Sequence, residues 1–309
     1  MKLGFIGLGK MGGRMSEKLL NEGHEIVGLD LSEEARDALK AKFPDSSKLT
    51  LVDNLNEMVA NLPKPRVVYL MLPAGEITEN TLTQIAKLAE PDDIVIDGGN
   101  SKFDETDRHA ENFQVKNIRF LGIGISGGIV AVKDGYPMMV GGDRSAYDYI
   151  TPVLDSLAKP GGGHEFFGAG GAGHFVKMVH NGIEYPVMQA IGEGFGVMAS
   201  SPYNLDLVKV AKLYQKGTLV SGFMMARALE ALEDDTINQV EGTIGSASGE
   251  AAWTVNEAKK NNLPAESIEL SIDFRKRSVD DLWVQKSFAA RMVGALRIKF
   301  GGHPVKKKT

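Results

Sequence analysis

The chain has 309 residues, 43% of them hydrophobic, with a formal net charge of −5 and a pI near 5.8. Its length and apolar content suffice for one large or two medium domains, and the acidic balance argues against nucleic acid or an anionic membrane as partner. No apolar run reaches the ~18 residues of a membrane helix, the first residues enter a strand pattern instead of a signal sequence, and the absence of cysteine removes disulfides and thiolate chemistry. A soluble cytoplasmic protein is expected, with no nucleic-acid and no membrane partner.

In chain order, Lys2 to Ile6 reads as a strand, a helical pattern follows at Met15, Leu19 and Leu20, and Glu25 to Leu29 reads as a second strand. This is a βαβ unit. Further strands are predicted at Val67–Leu72, Ile94–Ile96 and Ile118–Leu121, with helices over 33–42, 54–62, 76–89 and 103–113. Apolar strands separated by helices imply a parallel sheet covered on both faces. Beyond about residue 165, helical patterns run over 173–199, 205–231, 236–260, 264–276 and 279–299 with no strand among them. The expected architecture is a Rossmann-type, doubly wound α/β domain over 1–165 followed by an all-α domain over 166–309.

Between the first strand and its helix lies Gly7-Leu8-Gly9-Lys10-Met11-Gly12, and Asp30 closes the next strand, 18 residues after Gly12. In this context the glycines have separate tasks: a tight turn, close approach of a pyrophosphate, and close helix–strand packing, with the helix N-terminus favouring phosphate charge. Asp30 would accept hydrogen bonds from the adenosine ribose, where a 2′-phosphate would meet a carboxylate, so NAD is expected and NADP is the lesser possibility. Arg36, in the following helix, could turn toward such a phosphate, although a solvated helix-surface arginine is the plainer reading.

Three more turns follow predicted strands, where an open α/β sheet binds ligands. Leu72-Pro73-Ala74 should pass along the nicotinamide. Asn100, in Asp97-Gly98-Gly99-Asn100-Ser101, could bond both nicotinamide and a substrate hydroxyl, and Ser126-Gly127-Gly128 offers a hydroxyl and backbone N–H groups suited to a carboxylate. Each alone is more often only a turn.

Within 173–185 a base, an amide and an acid recur at one helical phase: Lys177, Asn181 and Glu184, four and then three residues apart. A desolvated lysine can serve as base for the hydroxyl proton during hydride transfer. The β-keto acid so formed loses carbon dioxide once its carbonyl is protonated, which the same lysine can do. Glu184 would then protonate the enediol carbon, with Asn181 and His180 orienting substrate oxygens. No metal ligand cluster is visible, and none is required by this scheme.

The Gly-Leu-Gly-x-Met-Gly turn, Asp-Gly-Gly-Asn-Ser at 97–101, Ser-Gly-Gly at 126–128 and above all His-Phe-Val-Lys-Met-Val-His-Asn-Gly-Ile-Glu-Tyr at 174–185 resemble signatures of the decarboxylating 6-phosphogluconate dehydrogenases, in their short form. The resemblance runs essentially end to end. It implies oxidation of a phosphorylated sugar acid, 6-phosphogluconate, to ribulose 5-phosphate and carbon dioxide, a step of the pentose phosphate pathway. It also implies that the helical domain binds substrate and oligomerises. Residues 297–303 are similar to the family's Arg-x-x-Phe-Gly-x-His, whose arginine and histidine reach a neighbouring subunit's substrate, so a homodimer or homotetramer is implied. By alignment, Arg275, Arg297, Tyr185 and His303 bind the phosphate. The Lys-Gly-Thr-Gly-Lys-Trp-Thr segment of the family's longer enzymes corresponds to residues 248–254, where both lysines are missing; Arg277 or Arg291 could replace them.

The rival enzyme reading is a non-decarboxylating β-hydroxyacid dehydrogenase acting on 3-hydroxyisobutyrate or glyoxylate. Such enzymes share the lysine and asparagine but lack Glu184-Tyr185. A nucleotide-binding sensor that uses the fold without turnover is the remaining alternative.

Overall fold

The structure is a computed structural model and describes residues 1–245 and 249–302. The chain divides into two compact units, Met1–Met178 and Val179–Thr309. In the first, the strands are β1 (Lys2–Ile6), β2 (Glu25–Leu29), β3 (Leu49–Leu51), β4 (Val67–Leu70), β5 (Ile94–Asp97), β6 (Arg119–Ile125), β7 (Pro137–Gly142) and β8 (Gly163–Gly168). They form one sheet in the order β3-β2-β1-β4-β5-β6-β7-β8. All neighbours pair parallel except β6 and β7, which are antiparallel. The intervening helices are α1 (Lys10–Asn21), α2 (Glu33–Lys42), α3 (Leu55–Ala60), α4 (Glu76–Leu88), α5 (Phe103–Gln114), α6 (Ala131–Asp134) and α7 (Arg144–Ala158).

Strand alternation explains why both sheet faces are covered. Phe5, Tyr69, Ile94 and Ile96 join a core with Met15 and Leu19 of α1 and Leu154 of α7. Their neighbours Ile6, Val68, Leu70 and Val95 join the opposite core with Met58, Leu82, Ile85 and Phe113. Side chains of successive residues point to opposite faces, so each continuous apolar run supplies both.

The second unit takes in most of α8 (Ala172–Ala199) and then α9 (Leu207–Tyr214), α10 (Phe223–Glu233), α11 (Thr236–Gln239), α12 (Glu250–Lys260), α13 (Glu266–Asp280), α14 (Leu282–Lys286) and α15 (Phe288–Gly301). Its core gathers Met188, Phe195, Ala228, Phe274, Met292 and Leu296. The expected α/β sheet followed by helices is present, with two differences. Strands β7 and β8 extend the sheet where none was expected, because one opens on a proline and the other alternates exposed and half-buried residues between glycines. The apolar residues are few, Met138 to Val140 in one and Phe166-Phe167 in the other, and a glycine ends each run. The predicted helices 173–199 and 264–276 are single helices, α8 and α13, whereas 205–231, 236–260 and 279–299 each hold two. Gly217 and Gly222, at φ +81° and +136°, separate α9 from α10, and the Asp281 and Ser287 side chains cap α14 and α15. No helix among the described residues is long and apolar enough to cross a membrane.

Candidate active site

The three glycines of the first turn differ in what surrounds them. Gly7 has φ +88°, and a Cβ there would lie 2.4 Å from the Met71 carbonyl oxygen; at Gly12 it would lie 1.8 Å from the Gly7 oxygen. Gly9, which caps α1, has no such neighbour within 4 Å. Two glycines are therefore needed by the fold, and the third faces open space. No acidic residue stands in the first turn of α1, and its N-cap, Gly9, brings no capping side chain. That is the environment an anion needs at a helix N-terminus. The Asp30 carboxylate is positioned by both turns, accepting the Leu8 N–H at 2.6 Å and the Ser32 N–H at 2.8 Å.

The predicted turns meet at the carboxyl ends of the strands. Gly7 abuts Met71, and a Cβ at Gly99 would lie 2.7 Å from the Leu72 carbonyl oxygen. Thr78 Oγ1 donates to the Pro73 carbonyl at 2.8 Å and so fixes the turn through Ala74. The buried Asp97 accepts the Gly99 N–H at 3.0 Å, which shapes the turn carrying the exposed Asn100. Ser126 donates its N–H to the Pro137 carbonyl at 2.9 Å, and Gly127 and Gly128 follow at φ +89° and +56°.

Lys177 is 5% exposed. Its burial has a local cause that the sequence motif does not reveal. A Cβ at Gly124 of β6 would lie 2.2 Å from Lys177 Cβ, and one at Gly173 would lie 2.5 Å from the Gly122 oxygen. Glycines on both elements thus let the start of α8 lie directly on the sheet. His174 Nδ1 and Thr106 Oγ1, 2.7 Å apart, add a buried hydrogen bond.

In the second unit His180 Nδ1 stands 2.9 Å from Asn181 Oδ1 and 3.9 Å from Glu184 Oε2. Arg275 of α13 is 4% exposed, and its guanidinium carbon lies 3.3 Å from the centre of the Tyr185 ring. Burial brings its pKa down to about 10, helped by the charge of Arg297 and opposed by Tyr185 and Glu184. Arg297 of α15 is also shifted down by burial and donates to the Ile244 carbonyl; Ile244 in turn donates its N–H to Ser278 of α13 at 3.0 Å. Burial pushes the Tyr185 hydroxyl up, while both arginines pull it down. Arg275 Nη2 is buried without a hydrogen-bond partner among the described residues. Two desolvated guanidinium groups beside a phenol make a ready anion site.

Residues 2–172 match the family model described as the NAD binding domain of 6-phosphogluconate dehydrogenase, and residues 173–306 match its C-terminal domain. A Haloferax volcanii protein named 6-phosphogluconate dehydrogenase, NAD(+)-dependent, decarboxylating, is 37% identical over 310 residues, covering 100% of this chain and 99% of that protein. The chain belongs to the 6-phosphogluconate dehydrogenase family. Among solved structures, Plasmodium falciparum 6-phosphogluconate dehydrogenase aligns with TM-score 0.78 at 28% identity, over 90% of this chain and 62% of that one. Mycobacterium tuberculosis 3-hydroxyisobutyrate dehydrogenase aligns with TM-score 0.73 over 96% of this chain and 99% of that one, but at 22% identity it shares the fold alone.

For a 6-phosphogluconate dehydrogenase, several expected residues deserve separate placement. Arg277 pairs with Asp273 at 2.8 Å and Arg291 donates to Asn238 at 2.9 Å, so neither is gathered at Tyr185. His303, Ser248 and the lysines at 306–308 lie outside the described residues. Arg297, which the resemblance assigns to a neighbour's substrate, acts on Tyr185 and Glu184 of its own chain. Glu250, in the first turn of α12, also bears on Tyr185, its charge pushing the hydroxyl's pKa up. Only the substitution within 248–254 could have signalled it. Among the described residues no three His, Asp or Glu side chains are grouped to hold a metal.

Proposed function

We propose that the chain oxidises and decarboxylates 6-phosphogluconate to ribulose 5-phosphate and carbon dioxide with NAD, as a step of the pentose phosphate route. Support comes first from one helix that carries the buried Lys177, then Glu184, then Tyr185 beneath Arg275. NAD, held at Gly7 to Gly12 and Asp30 within residues 1–165, supplies the hydride acceptor. Its fit rests on the open Gly9 and on the acid-free first turn of α1.

Lys177 takes the proton of the hydroxyl on the carbon β to the carboxylate as hydride leaves that carbon. The bond to the carboxylate carbon then breaks, its electron pair moves to the new carbonyl, and Lys177 returns the proton to the carbonyl oxygen. Glu184 protonates the resulting enediol carbon while Lys177 takes the proton back from the hydroxyl that becomes the ketone, which completes the pentulose. Asn100, Ser126 with the Gly127 and Gly128 amides, His180 and Asn181 orient hydroxyl and carboxylate oxygens. Arg275, Arg297 and Tyr185 bind the phosphate, with His303 assisting. These last belong to residues 166–309, which carry the substrate role.

A homo-oligomer is part of this reading. Along α8, Ile183, Val187, Ala190, Gly194 and Val197 are exposed at spacings of four and three, a seam suited to a second copy. Sedimentation showing a monomer at working concentration would remove it. A cytoplasmic location accords with the lack of cysteine.

The test follows reduced cofactor and carbon dioxide together, with NAD and 6-phosphogluconate. Stoichiometric release of both is expected. Glu184→Gln should cut pentulose formation by about 10²–10⁴-fold. Reduced cofactor without carbon dioxide, or an indifferent Glu184→Gln, would instead point to a simple dehydrogenase.

A further inference from the structure

Cofactor choice in this chain involves a charge beyond Asp30. Arg36 folds its guanidinium back on the strand end: Nη1 donates to the Asp30 carbonyl at 2.5 Å, and Nη2 lies 3.6 Å from Asp53 Oδ1. The cation is therefore anchored on the main chain of the residue whose carboxylate marks the ribose. Its partner Asp53 has a side chain 80% exposed, against 22% for Arg36. An exposed ion pair of this kind contributes about 0–1 kcal/mol. A phosphate dianion, able to accept two parallel N–H bonds from one guanidinium, is the stronger competitor.

We propose that Arg36 is a second determinant of cofactor choice, the group through which the site tolerates a 2′-phosphate. Asp30 opposes that phosphate by like charge, and Asp53 holds the arginine away from it. NAD would be preferred because the Asp30 carboxylate, held by the Leu8 and Ser32 amides, would accept from the ribose hydroxyls and repel a phosphate placed there. Residual use of NADP passes through Arg36. This role presupposes that the dinucleotide binds at the glycine turn.

Three variants separate the contributions. Kinetics with NAD and NADP, and calorimetric binding of adenosine 2′,5′-bisphosphate against 5′-AMP, would be measured for each; the second readout needs no turnover. Asp53→Asn should raise the NADP-to-NAD ratio of kcat/KM by about two- to fivefold, the most that an exposed pair can withhold. Asp30→Asn should raise it further, since Asn keeps one acceptor for the Leu8 amide while losing the charge. Arg36→Ala in that background should abolish the gain and lower bisphosphate affinity about tenfold or more, with 5′-AMP binding held within about threefold. Parallel losses for both nucleotides would show that Arg36 only props the turn, and an unchanged ratio in Asp53→Asn would equally overturn the proposal. If the wild type binds neither nucleotide, the glycine-turn assignment itself falls.

Discussion

The glycine turn and the arginine pair present positive potential to phosphate by opposite means. At Gly9 the charge is a fraction, spread over backbone N–H groups at the start of α1, and it costs no buried ion. At Tyr185 it is carried by two guanidinium groups, one of them 4% exposed with a buried nitrogen that has no hydrogen-bond partner among the described residues. Backbone donors suit a pyrophosphate that must lie flat along a turn, whereas desolvated arginines grip a terminal phosphate and discriminate against acids that lack one. The second solution is bought with folding stability, because a buried cation that Tyr185 and Glu184 compensate only in part disfavours the native state.

That contrast predicts opposite stability signs for the two sites. Arg275→Met should lower kcat/KM for 6-phosphogluconate by on the order of 100-fold or more, through loss of charge-assisted bonds, without lowering Tm. A clear fall in Tm would mean that Arg275 is already compensated in the free protein. Gly12→Ala should act the other way. Its Cβ would overlap the Gly7 oxygen at 1.8 Å, so Tm should fall and NAD binding should weaken by about 1–3 kcal/mol, roughly 5- to 150-fold. Calorimetry with NAD and thermal melts on the same preparations would compare both variants directly.

A smaller effect tests whether the arginine site is electrostatically tuned. Glu250→Gln removes the acid that acts on Tyr185 and should lower KM for the phosphorylated acid about two- to fivefold, more at low than at high salt. An unchanged KM would place Glu250 outside the phosphate's field.

The smallest expected effect is a control on the sheet. His24 accepts a hydrogen bond from the N-terminal ammonium at Nδ1, 3.1 Å away, and its Nε2 stands 2.9 Å from Ser156 Oγ. Burial first, and then the ammonium, lower its pKa from the ordinary 6.5. The folded state thus resists protonation that the unfolded chain accepts, so this contribution is full above 6.5 and is lost as pH falls toward the lower folded value. Tm measured between pH 8 and 5 should decline less in His24→Gln than in the wild type.

The parts that local sequence determined are those built from neighbouring residues. Gly7 to Gly12 and Asp30 form one βαβ turn, and the apolar runs at β1, β2, β4 and β5 each supply both sheet faces, so a parallel sheet covered on both sides could be read directly. The phase of Lys177, Asn181 and Glu184 followed from helix geometry alone. Tertiary structure decided what depends on distant partners. Lys177 is buried because Gly124, more than fifty residues earlier, leaves room for α8 on the sheet. Arg275 meets Tyr185, with Arg297 in its field, only because α13, α8 and α15 are packed together in the second unit. Strands β7 and β8, at one end of the sheet, pair through backbone groups, which leave little trace in side-chain pattern. Local periodicity records the face a residue presents; it does not record which residue, far along the chain, will come to meet it.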